Sequence, residues 1–126
     1  MSTISDVLTR YASFVTAGDV DGILSLYADE ARIEIPVGGP VHDGIQAIRA
    51  FYRDNELARS LEITGNACVA GHEAAVPMRA VVAQDGQLLE LDVIDVAAID
   101  PSGKLTQLRA FFDLEGARPL APSEES

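Results

Sequence analysis

Asp95 has the chemistry most in need of explanation. It stands in Leu91-Asp92-Val93-Ile94-Asp95-Val96-Ala97-Ala98-Ile99, where strand alternation puts its carboxyl on the face of Leu91, Val93, Ala97 and Ile99. An ionised carboxylate on an apolar face is costly, so such a group raises its pKa, keeps its proton and donates a hydrogen bond. A neutral acid at pH 7 suits the stabilisation of developing negative charge, although the same pattern also fits a structural acid satisfied by a neighbouring group. Three other acids flanked by apolar residues are candidate bases: Glu34, Glu62 and Asp113. Alternation aims Glu34 outward unless a bulge at Pro36 turns it, and Glu62 outward unless the register of its strand is reversed. Asp113 faces away from Leu108, Ala110, Phe112 and Leu114.

The elements that must position these residues follow from periodicity. Ile4, Val7, Leu8, Tyr11, Phe14 and Val15 predict a first helix stopped by Gly18, with Tyr11 on its buried stripe. Asp19 can cap a second helix whose Ile23, Leu26 and Tyr27 face inward, ending near Ala28-Asp29-Glu30. Residues 31–35 alternate as a strand that Pro36-Val37-Gly38-Gly39-Pro40 ends. Ile45, Ile48, Phe51 and Tyr52 predict a third helix to Asn55. The period then changes to two, with strands expected over 61–69, 74–82, 88–99 and 105–114, and turns at Gly71, Asp85-Gly86 and Asp100-Pro101-Ser102-Gly103. Helices followed by long antiparallel strands predict an α+β fold, in which a curved, cone-shaped sheet wraps the three N-terminal helices and leaves a mouth for a ligand. Residues 1–115 make the single domain and 116–126 a frayed tail.

Composition limits the partners. With 126 residues the chain fits one domain and one core, and its net charge of −11 argues against nucleic acid or an anionic membrane. Cys68 is the lone cysteine, compatible with a reducing cytosol, and neither a leader pattern nor a run of about 18 apolar residues is seen, so a soluble cytoplasmic protein is expected. His42 and His72, in predicted turns, lack a second ligand at metal-binding spacing, and Gly38-Gly39 lacks the strand-to-helix phosphate pattern. No metal and no cofactor are therefore predicted. Phe14, Phe51, Met78, Val81, Phe111 and Phe112 are candidates to line a hydrophobic cavity, though core packing is the default role of such residues. Ile94, Val96 and Ala98 lie on the face opposite Asp95, and exposed apolar strand surface predicts a homodimer packed through the sheets.

Several segments then align with one family. Leu8-Thr9-Arg10-Tyr11, Ala17-Gly18-Asp19, Leu26-Tyr27-Ala28-Asp29-Glu30-Ala31, Ile33-Glu34 with Pro36-Val37-Gly38, Ala50-Phe51-Tyr52-Arg53 and Leu91-Asp92-Val93-Ile94-Asp95-Val96 resemble bacterial Δ5-3-ketosteroid isomerases in order and spacing, from Leu8 to Leu114. The resemblance implies the cone fold shared with nuclear transport factor 2 and SnoaL-like cyclases. It also implies that Tyr11 and a protonated Asp95 donate to a steroid carbonyl as it becomes a dienolate, the role for which such an aspartic acid is known in that enzyme. Tyr27 and Tyr52 would support Tyr11 and lower its proton affinity, and Phe112 would lie against the steroid, with Phe51, Met78 and Val81 as further lining.

One residue departs from the family. Its general base is an aspartate before the proline of a Glu-Asp-Pro segment, and here that segment reads Glu34-Ile35-Pro36. Ile35 cannot accept a proton, and a positioned base contributes a factor of about 10²–10⁴. The resemblance thus carries over the donors and the pocket for an apolar ketone or phenol, with weak, lost or altered isomerase activity. An alternative is an epoxide hydrolase or cyclase of the same fold, pairing Asp95 with Glu62 or Glu34. A third is a non-catalytic small-molecule binder.

Overall fold

The computed structural model describes residues 3–120. Helix α1 (Ile4–Ala17) opens on a reciprocal cap, in which the Thr3 hydroxyl accepts from the Asp6 N–H and the Asp6 carboxylate accepts from the Thr3 N–H. It closes at Gly18, whose φ of 71° is the left-handed turn that glycine adopts without a Cβ clash. Helix α2 (Val20–Ser25) is capped by Asp19 as predicted but is shorter than expected. Tyr27 already belongs to strand β1 (Tyr27–Glu34), because the Leu105 N–H donates to the Leu26 carbonyl and ladder bonds take over from there. A short strand β2 (Val41–Asp43), too brief to show a period, pairs with β1 and leads into α3 (Ile45–Asp54).

The rest is sheet. The expected strand over 61–69 is two strands, β3 (Ser60–Ile63) and β4 (Cys68–Ala70), both paired with β5 (Glu73–Gln84). The break faces Pro77, which has no N–H for the ladder; there Gly65 lies so near that an added Cβ would stand 3.0 Å from the proline ring. β5 forms a long antiparallel hairpin with β6 (Gln87–Ile99), and β7 (Leu105–Phe111) follows. The sheet order is β2-β1-β7-β6-β5-β3, mixed because β1 and β7 run parallel. The chain is thus an α+β fold of three helices against a curved, unclosed mixed sheet.

The C-terminal part of the described chain is more ordered than a frayed tail. A 3₁₀ turn (Leu114–Gly116) is capped by the Asp113 carboxylate, and β8 (Arg118–Pro119) pairs with β6 beside Leu89 and Glu90. Arg118 reaches Glu90 and Asp92, as does Arg79 from β5. The remainder of the expected tail, 121–126, lies outside the described residues. No helix among the described residues is long and apolar enough to cross a membrane.

One core joins the layers, with Leu8, Ile23, Ile33, Ile48, Met78 and Leu108 almost wholly buried. Inner and outer faces of β6 alternate as the sequence predicts up to Val96, with Leu91, Val93, Asp95 and Ala97 inside. Ala98 departs from that alternation, being buried next to the register shift between Ala98 and Ile99. On the outer face of β6 the exposed apolar pair is Ile94 and the residue paired with it across the strands, Phe111, at 47% and 40% exposure. Phe111 is therefore on the outer face and not in a cavity, under the Arg109 guanidinium at 5.2 Å.

Candidate active site

α1, α3 and the inner faces of β5, β6 and β7 enclose a cavity of about 400 Å³. Its floor carries Tyr11 from α1, Tyr52 from α3 and Asp95 from β6, each buried to 5% exposure or less. Ile35, Phe51, Ala80, Leu91, Val93 and Phe112 make apolar walls. Asn55, Glu56, Gln84 and Leu114 line the same cavity but are exposed, which marks them as its mouth. A more polar depression of about 580 Å³ lies elsewhere, between α2, β1, α3 and the β6–β7 turn. It shares none of these walls.

The phenols form a chain. Tyr11 Oη lies 2.9 Å from Tyr52 Oη, and Tyr52 Oη lies 2.9 Å from Tyr27 Oη. The central member is therefore Tyr52, which bonds both of the others. Burial is the main cause that pushes all three phenols well above their ordinary pKa, with the charge of Asp95 adding to it. The proton affinity of Tyr11 is thus raised and not lowered, because desolvation of a phenolate and the neighbouring Tyr52 both oppose its ionisation. All three remain protonated donors at neutral pH.

Asp95 is the one buried charged or polar residue among the described residues, at 2% exposure, and burial pushes its carboxyl up to about 7. It makes no hydrogen bond or ion pair with another described side chain, so its proton is free for a group in the cavity. A phenol and a carboxylic acid on the floor of an apolar pocket can stabilise an oxyanion far better than water can.

The other candidates separate by alternation. Phe51 and Phe112 line the cavity, and so does Ile35, which presents a hydrocarbon side chain to it. Met78 is buried in the core and Val81 is half-buried on the outer face, opposite Ser60 and Glu90. Three residues apart on one strand, they cannot share a face. Phe14 packs beside Gly22 and is not part of the lining.

Neither glutamate offered as a partner for Asp95 reaches it. Glu34 points outward, where the Gly38 N–H and the Arg109 guanidinium hold its carboxyl below the usual range. Glu62 is exposed on β3 opposite Arg79. The carboxylate that does line the cavity is Glu56, just beyond the α3 cap. Sequence reasoning missed it because a loop residue has no periodicity, although the Asn55 helix stop marks where the chain leaves α3. His42 lies on β2 and not in a turn, its ring 4.8 Å from that of Phe51.

Residues 8–108 match the SnoaL-like domain family. The chain belongs to this family. As a SnoaL-like protein it is 34% identical over 110 residues to a steroid Δ-isomerase of Nocardioides simplex, covering 86% of this chain and 89% of that one. It is also 26% identical to the epoxide hydrolase LasB of Streptomyces lasalocidi over 86% of this chain, and spans only 47% of LasB. Among solved structures of the SnoaL-like fold, the epoxide hydrolase/cyclase-like enzyme SalBIII, described in pyran ring formation in polyether salinomycin, superposes with a TM-score of 0.84 at 26% identity. That superposition covers 93% of this chain and 95% of SalBIII. These relatives are enzymes acting on small molecules.

Proposed function

We propose that this protein binds a steroid-like ketone or phenol with its oxygen between Tyr11 and protonated Asp95, and isomerises Δ5-3-ketosteroids poorly because residue 35 is isoleucine. The observation that carries this reading is the joint placement of both donors on the floor of one apolar cavity, with the tyrosine chain behind Tyr11. Tyr11 donates to the ligand oxygen and Tyr52 donates to Tyr11, so charge that develops on the oxygen is shared along the chain. Asp95 supplies the second donor. Among the described residues, no carboxylate on the cavity floor or walls other than Asp95 is placed to shuttle a proton between carbons, and Asp95 is occupied as a donor.

The test follows absorbance as a Δ5-3-ketosteroid becomes its conjugated Δ4 isomer, in the unmodified protein and in Ile35→Asp. The substitution is expected to raise the rate by a factor of about 10²–10⁴. Silence in both, with no binding of a phenolic steroid, would overturn the reading. Epoxide opening with Asp95 as the acid is the second reading, favoured by the likeness to LasB and SalBIII. Turnover of an epoxide by the unmodified chain that is lost in Asp95→Asn would establish it instead. We also propose a homodimer joined through the outer sheet face around Ile94 and Phe111.

A further inference from the structure

The cavity has polar groups at both ends, and only the floor has been given a role. At the mouth, Asn55 and Glu56 come from the segment that leaves α3, and Gln84 faces the cavity from the β5–β6 hairpin. The Asn55 amide is already committed, since its Nδ2 donates to the Phe51 carbonyl at 2.9 Å. Only an N–H can face a carbonyl in that way, so Asn55 has left to offer its Oδ1 acceptor and its second N–H. Glu56 is also an acceptor, and Arg59 holds it at 3.5 Å. The segment is anchored, because the Arg59 N–H donates to the Val81 carbonyl at 2.7 Å. Gln84 has both an N–H and a carbonyl to offer.

Tyr52 on the floor and Glu56 at the mouth line one cavity from its two ends, with α3 ending between them at Asp54. We infer that the mouth formed by Asn55, Glu56 and Gln84 selects ligands that carry a hydroxyl at the end remote from the oxygen held by Tyr11 and Asp95. A hydroxyl donates to Glu56 or to Asn55 Oδ1 and accepts from Gln84. A ketone at the same place accepts only, leaving the Glu56 carboxylate facing its oxygen without a proton between them, and a sulfate or carboxylate meets the Glu56 charge on a chain of net charge −11. Glu56 is thus a specificity residue at the end of the ligand away from the reacting carbonyl. This inference rests on the ligand orientation given under the proposed function.

Two phenolic steroids that differ only at the remote end, estradiol with a hydroxyl and estrone with a ketone, separate the two ideas by titration calorimetry. The unmodified protein is expected to bind estradiol about threefold to tenfold more tightly, the worth of one net hydrogen bond at a partly solvated site. Glu56→Ala should bring that ratio toward one, and Glu56→Gln, which adds an N–H, should move it toward estrone. Tyr11→Phe should weaken both ligands and leave the ratio in place. Equal binding of both steroids, or a ratio that survives Glu56→Ala, would overturn the inference alone. Binding of neither would overturn it together with the floor assignment beneath it.

Discussion

Asp95 holds its position at a cost to stability that depends on pH. Its carboxyl ionises at about 7 in the folded chain, against about 4 when unfolded, so the folded state binds its proton more tightly. The full stability is present below about pH 4 and is lost as pH rises through about 7, a difference of about 4 kcal/mol. Asp95→Asn, which has no proton to lose, is therefore expected to change the melting temperature little near about pH 4 and to raise it clearly near about pH 8. Function runs with the same proton. Affinity for an acceptor-only ketone should fall above about pH 7 in the unmodified protein and lose that dependence in Asp95→Asn, which keeps an N–H donor. A flat pH profile in the unmodified chain would show that Asp95 does not donate to the ligand.

The tyrosine chain belongs to the scale of elements, because it ties α1, α3 and β1 together at their buried faces. Tyr52 makes both bonds, whereas Tyr27 and Tyr11 make one each. Tyr52→Phe therefore strands two buried hydroxyls, and Tyr27→Phe removes one bond at the far end from the cavity. Denaturant unfolding is expected to show Tyr52→Phe losing about 1–3 kcal/mol and Tyr27→Phe clearly less. Ligand affinity should follow the same order. Equal losses would mean that Tyr27 supports Tyr11 without Tyr52 between them. The placement of Tyr11 was legible in the helical stripe from Ile4 to Val15, because that stripe is a property of one continuous segment. Tyr27 was read as inward but on the wrong element, since the ladder bond from Leu105 that ends α2 comes from residues far along the chain.

For the whole molecule, the outer sheet face is the open question of assembly. Ile94 and Phe111 form a cross-strand apolar pair exposed on the outer sheet face, a starting point for a sheet-to-sheet contact with a second copy. Sedimentation is expected to find a dimer, and Ile94→Asp with Phe111→Asp to convert it to monomer while the Tyr11 and Asp95 cavity still binds ligand. A monomeric unmodified protein would show that this face serves no self-association. The net charge of −11 opposes association with anionic polymers.

The sequence by itself determined what depends on local period. Alternation from Leu91 to Ala97 put Asp95 inside, and helical spacing put Tyr11 and Tyr52 on buried faces, because side-chain direction repeats every two or 3.6 residues whatever the neighbours are. That Ile35 stands where a Glu-Asp-Pro segment would have its aspartate came from the resemblance, not from any period in the sequence. Only the tertiary structure decided which buried groups touch. It made Tyr52 the middle phenol, put Val81 outside, turned Glu34 toward Arg109, paired β8 with β6 and brought Glu56 to the cavity mouth. Each of these depends on the distance between elements remote in sequence, and inter-element packing leaves no period within any one segment.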